Sequence, residues 1–172
     1  MKKIIIIFFI YLLQFSLVTA NTKIGFIDMD KIMSTSKPGS SIIKQLKKIN
    51  TNNIDKFEKD AKKLKELETK LIAQKNLLSD SDFQLKINKL KLDIKNYNDA
   101  RKIINSDFNK LKIDTTNKFL KMINPILTKY IDINSISLIL KKRDIVIGKK
   151  ELDITDEIIK IINNDIKKFN IQ

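Results

Sequence analysis

The chain contains no cysteine, no histidine and no tryptophan, and has only 3 Gly and 2 Pro among its 172 residues. Without cysteine there is neither a disulfide framework nor a thiolate metal site. Without histidine the commonest general base, the commonest metal ligand and the usual pH switch near neutrality are all missing. So few Gly and Pro exclude collagen-like and Pro/Gly-rich disordered chains and favour long uninterrupted helices. Acids are also scarce relative to bases: 34 Lys and Arg against 20 Asp and Glu give a formal net charge of +14. A charge that large calls for anionic partners, whether nucleic acid, acidic lipid headgroups or acidic polypeptides. Length points to one domain.

Catalytic signals are thin. Ser34 with Lys37, and Ser41 with Lys44, match a Ser-x-x-Lys spacing. The companion Ser-Asp-Asn and Lys-Thr-Gly elements that would complete a penicillin-binding site are absent. The acid pairs Asp28/Asp30 and Asp153/Asp156 are read as helix caps. No glycine-rich phosphate loop or metal-ligand cluster occurs. The sequence therefore reads as a non-enzymatic protein without cofactor or metal.

What is present is organised around residues 83–115. Phe83, Leu90, Tyr97, Ile104 and Leu111 recur every seven residues, and Ile87, Ile94, Arg101, Phe108 and Thr115 recur beside them. One narrow apolar seam on a long helix is the a/d pattern of a coiled coil, with Arg101 and Thr115 its only polar members. Arg101 either fixes register or marks a gap. Upstream, Phe57, Leu64, Leu71 and Leu78 repeat at the same interval, with Leu46, Ile54, Ala61 and Leu67 flanking and Asn53, Asp60 and Gln74 weakening the stripe. Ser79-Asp80-Ser81-Asp82 breaks the pattern, with Ser81 and Gln84 spaced as a capping box. A turn that short makes the helices antiparallel neighbours. Each arm, of roughly 40 residues, should reach on the order of 60 Å.

Residues 1–20 have the layout of a cleaved signal peptide: Lys2 and Lys3, an apolar run from Ile4 to Leu13, and Val18-Thr19-Ala20 before the expected cut. Losing them leaves 32 − 20 = +12. Export removes nucleic acid from the candidate partners. Residues 21–40 and 125–172 should form a β-rich body. Lys23 to Asp28 reads as a strand, Asp28 as the cap of a short helix through Met33, and Ser34 to Ser41 as a loop before the second helix. The returning helix should run to about Asn124, with Pro125 at the joint and Ile126 to Tyr130 a last turn or two. Ile136 to Leu140 and Asp144 to Gly148 read as strands. Thr155 should cap a final helix that buries Ile158, Ile161 and Ile162. So few strands have little core and open edges, which closure with other copies would cure. The fold class is α+β: a long antiparallel coiled-coil hairpin, residues 41–124 with its tip near 79–82, on a small β-body closing as a trimeric barrel. Ile24, Phe26, Leu138, Leu140, Ile145 and Ile147 are its candidate trimerisation residues.

KIGFIDMDKIM at residues 23–33 and LDITDEIIK at residues 152–160, bracketing a charged hairpin behind a signal peptide, resemble the Skp (OmpH) family of periplasmic chaperones over the whole mature chain. The resemblance implies a homotrimer whose strands make a central body from which three helical arms project. It also implies an ATP-independent holdase that captures unfolded outer-membrane proteins and prevents their aggregation. The Ile-, Asn- and Lys-rich composition and the tail Asn163 to Gln172 depart from the family.

Residues 41–130 carry 21 Lys/Arg and 11 Asp/Glu, a net of +10. The spacings Glu66/Lys70 and Glu58/Lys62 suit i,i+4 pairs; the excess of lysine has no such role. Lys86, Lys89, Lys91 and Lys95 near the tip are candidate capture residues. Leu85, Leu92 and Ile113 share one heptad position off the seam, and Ile72 and Leu77 add apolar surface on the outgoing arm; these are the candidate client-binding residues. Two other functions fit the same features: a structural coiled coil of the cell envelope, and a binder of anionic lipid or lipopolysaccharide.

Overall fold

A computed structural model describes residues 22–171; the expected signal peptide and its cleavage after Ala20 lie outside them. Strand β1 (Lys23–Ile27) leads into a short helix α1 (Met29–Thr35), the outgoing arm α2 (Lys37–Ala73), the returning arm α3 (Asp80–Asn134), strand β2 (Ile136–Lys141) and a final helix α4 (Thr155–Asp165). Single 3-10 turns at Lys142–Asp144 and Lys150–Leu152 lie between β2 and α4.

Side-chain capping sets where the first three helices begin. Asp28 caps α1 by accepting from the Lys31 N–H at 2.9 Å. Buried Ser36 caps α2 by accepting from the Gly39 N–H at 3.2 Å. This starts α2 four residues before the expected Ser41, because Pro38 falls in the first turn, where its missing N–H costs nothing. The junction also needs glycine at 39, since a β-carbon there would lie 2.3 Å from the Met33 carbonyl oxygen. The tip runs from Gln74 to Ser79, and the cap of α3 is Ser79, accepting from the Asp82 N–H at 3.1 Å, rather than Ser81.

The returning arm does not stop at Pro125. It continues as one helix of 55 residues with Pro125 inside it, a length of about 80 Å. Pro125 and Lys121, whose carbonyl loses its i+4 donor, are both solvent-exposed. The proline thus sits on the solvent side of the helix, where a lost backbone hydrogen bond costs least, and the helix continues through it.

The strands β1 and β2 are parallel, pairing Ile24 with Leu138 and Phe26 with Leu140 after an irregularity at Lys23/Ile24. The expected third strand, Asp144 to Gly148, is not formed. Instead, the 3-10 turn after β2 folds this segment over the sheet. Gly148 lies so close to Phe26 that an added β-carbon would sit 3.2 Å from its ring and 3.6 Å from Ile145. Covering the Phe26 ring wins over extending the ladder. The other edge of β1 is taken by Asp153 and Ile154, the Ile154 N–H donating to the Phe26 carbonyl at 3.1 Å.

The core lies where the arms meet the sheet. Ile27, Ile32 and Ile42 pack with Phe119, Ile123 and Ile126 of α3 and with Ile154, Ile158 and Ile162 of α4. Ile166 and Phe169, in the segment after α4, complete it. Thr155 is the first residue of α4, not its cap. Its hydroxyl bonds the Asp153 carboxylate and accepts from the Asp28 N–H at 2.9 Å, tying β1 to α4 across 127 residues of chain.

Candidate interaction surfaces on the arms and the sheet

Beyond the core the two arms touch only along their seam. Phe83, Ile87, Leu90, Tyr97, Ile104, Phe108 and Leu111 are half-buried, and Thr115 and Phe119 are fully covered toward the root. The opposing stripe on α2 runs through Ile42, Leu46, Asn53, Phe57, Asp60, Leu64 and Leu71. A two-helix seam covers each residue on one side only, which is why most stay half-exposed. Arg101 stands exposed with no ion-pair partner among the described residues, so no ion pair within the chain ties it to the opposing arm.

The candidate residues off the seam face water. Leu85, Leu92, Ile113, Ile72 and Leu77 are between 55% and 82% exposed. Ile103, as exposed as Ile113, falls between Leu92 and Ile113 on the same arm; its place beside the seam residue Ile104 concealed it in the sequence. Lys86, Lys89, Lys91 and Lys95 are exposed around them. On the arms one ion pair closes among the described residues, Lys63 to Asp60 at 3.7 Å. The spaced pairs Glu66/Lys70 and Glu58/Lys62 do not, since ordering two long side chains in water offsets most of the gain. The arm charge is thus left for other molecules.

Near the tip the arms part around a cleft of about 360 Å³. Leu67, Leu71 and Leu90 line it together with Lys70, Lys86 and Lys89, and the Lys86 ammonium donates to the Gln74 amide oxygen at 3.3 Å.

The second surface is the outer face of the sheet. Residues alternate across a strand, so Gly25 and Ile27 turn to the core while Ile24, Leu138 and Leu140 turn outward, each more than a third exposed. Val146 and Ile147 project fully into solvent beside them. Phe26 shares this outer face but is only 8% exposed, with Gly148 close against its ring. The rim is charged: Lys142 pairs with Asp28 at 3.3 Å, and Lys31 with Asp156 at 2.7 Å. The Lys31 N–H and the Lys142 ammonium hold the Asp28 carboxyl below its ordinary value, and Lys31 does the same for Asp156. No group of three acids able to hold a metal ion is present among the described residues, and no described helix is long and apolar enough to cross a membrane.

The family model for OmpH-like outer membrane proteins matches residues 23–162. Among solved structures, an OmpH-like protein from Caulobacter crescentus, described as an outer membrane chaperone, superposes with a TM-score of 0.80 at 13% identity, covering 91% of this chain and 93% of its own. No curated protein sequence matches this chain.

Proposed function

Since the chain belongs to the OmpH-like outer membrane protein family, we propose that it is a periplasmic, ATP-independent holdase that captures unfolded outer-membrane proteins as a homotrimer. The observation that carries this reading is the division of exposed apolar surface into two kinds. On the arms it is dispersed among lysines, as at Leu85, Leu92 and Ile113. On the outer face of the sheet and just beside it, it is concentrated at Ile24, Leu138, Leu140 and Ile147. A dispersed surface suits many weak, mobile contacts with a chain that has no fixed shape. A concentrated one suits a permanent partner, and a second copy of the same strands is a partner that would cover this face and close the open edge of β2.

Capture begins at long range, because the net +10 of residues 41–130 attracts acidic unfolded chains. Retention follows from several arms sharing one client, so that each contact raises the local concentration at the next. Nothing in this scheme spends chemical energy, and release comes with folding or transfer of the client. The test is light scattering of an unfolded outer-membrane barrel diluted from urea. The protein should suppress the rise at about one trimer per client. An unchanged rise sinks the proposal and leaves a structural coiled coil. A second reading, a binder of anionic lipid or lipopolysaccharide, draws on the tip cleft, where Lys70, Lys86 and Lys89 border an apolar floor. It predicts sedimentation with acidic vesicles in the absence of any unfolded protein.

A further inference from the structure

The segment after α4 is extended, beginning at Ile166 with φ −111° and ψ 95°, and crosses the root of both arms. It lies beyond residue 162, where the family match ends. Its backbone is read by one side chain of α2. The Gln45 amide nitrogen donates to the Phe169 carbonyl at 2.7 Å, and the Gln45 amide oxygen accepts from the Ile171 N–H at 3.0 Å. Ser41 orients that amide, at 3.1 Å from its nitrogen. A carboxamide bonded to the C=O of one residue and the N–H of the next but one makes the contacts of a neighbouring β-strand. Such contacts do not depend on side-chain identity.

Specificity comes from one pocket. The Phe169 ring is 7% exposed and meets Phe119 edge to face at 6.5 Å. Beside it lies a cavity of about 350 Å³ lined by Phe169 itself, Thr115 and Leu111 together with the polar side chains Asp114, Lys118 and Lys121. The polar break in the seam therefore borders open, largely polar space next to the seat that Phe119 gives the Phe169 ring, so the groove extends past the residues now seated in it.

We infer that this arm-root groove is a binding site for an extended polypeptide segment carrying an aromatic residue. Residues 166–171 are its resident occupant, and an unfolded client displaces them. The client half of the inference rests on the holdase reading. The tethered segment has an effective concentration on the order of millimolar, so isolated client segments compete poorly. A client already held by the arms presents its own segments at comparable concentration and competes well. The groove then engages late, after capture.

The experiment uses the chain ended at Lys168 and a fluorescent peptide of residues 165–172, followed by anisotropy. Saturable binding is expected. It should weaken about three- to tenfold with Gln45→Ala, as befits two backbone hydrogen bonds, and further with a peptide carrying Phe169→Ala. The intact chain should bind the peptide far more weakly. If the shortened chain binds no peptide while keeping its helical circular dichroism, the site does not exist. If the shortened chain unfolds, the intact chain with Phe169→Ala takes its place and should gain peptide binding; no gain overturns the inference. Adding an unfolded barrel should then release bound peptide. Peptide that stays bound while aggregation is still suppressed refutes the client half alone and leaves the holdase reading standing.

Discussion

The rings of Phe57 and Tyr97 meet edge to face, their centroids 6.0 Å apart and their planes at 86°. One comes from each arm, well away from the core. Along a seam only one residue wide, an aromatic pair is the largest single contact available, and it lies close to the exposed Arg101.

Tyr97→Ala should therefore loosen the middle of the arms without touching the body. The loss should be about 1–2 kcal/mol of local stability, less than for a fully buried aromatic. Hydrogen exchange is the measurement: faster amides at residues 50–64 and 90–104, unchanged amides in α4. Equal acceleration in α4 would mean that arms and body unfold together.

Gly39→Ala tests the root. The new methyl would sit 2.3 Å from a backbone oxygen of α1 and 2.8 Å from Ser36 Oγ, and backbone cannot swing aside as a side chain can. Stability to urea should fall by about 1–3 kcal/mol. An unchanged midpoint would mean that α1 can move away from α2 at little cost.

The rim carboxylates give a pH dependence whose sign is fixed. Asp28 and Asp156 titrate below their unfolded values, so their contribution is present above about pH 4 and is lost as pH falls through the folded values. Lys31 titrates above its unfolded value, so its contribution is present below about pH 10 and is lost as pH rises through the folded value. With no histidine in the chain, stability should be nearly flat from about pH 5 to 9. Urea midpoints across that range test this, and Asp28→Asn should flatten the acid limb. A step near pH 6 to 7 would contradict it.

The arms were legible in the sequence because a seven-residue repeat survives composition bias: Phe83, Leu90, Tyr97, Ile104 and Leu111 are half-buried along the seam as expected, whereas Ile94 and Arg101 of the companion position are exposed. The strand expected at Asp144 to Gly148 was not. Its alternation is equally consistent with a segment folded over a sheet, and Ile145 is partly covered while Ile147 turns to solvent. Pro125 misled because a breaker is judged by sequence, whereas its cost depends on which face of the helix it occupies. The segment after α4 carries no periodicity, so its two buried residues, Ile166 and Phe169, had no local signal. The long-range partner Gln45 is 124 residues away from Phe169. Whether Leu85 or Leu92 touches a client is a property of two molecules, and one chain's pattern holds only the exposed half of it.

Leu138→Asp places a charge in the centre of the outward face formed with Ile24 and Leu140. Each of these is substantially exposed in the single chain, so the monomer tolerates the substitution, whereas a closed trimer would have to bury the carboxylate at a cost of several kcal/mol. Sedimentation should give a folded monomer for the variant and a trimer for the parent chain. An intact trimer in the variant would move the interface elsewhere.

The arms should act on clients through two separable forces. Lys86, Lys89, Lys91 and Lys95 are exposed near the tip and should govern the rate of capture. Raising salt from about 0.05 to 0.5 M shortens the screening length from about 14 to 4 Å and should slow association markedly. Leu85, Leu92 and Ile113 should govern retention. Replacing all three with serine leaves the seam intact, because none contributes to it, so helicity and trimer mass should hardly change. Each aliphatic contact is worth up to about 1–2 kcal/mol when well buried and less in a mobile complex. Dissociation of an unfolded barrel client should thus accelerate, with little change in its association rate. Stopped-flow mixing and a chase with excess unlabelled client measure the two rates. Unchanged dissociation would remove this stripe from the binding surface, and association insensitive to salt would remove the lysines.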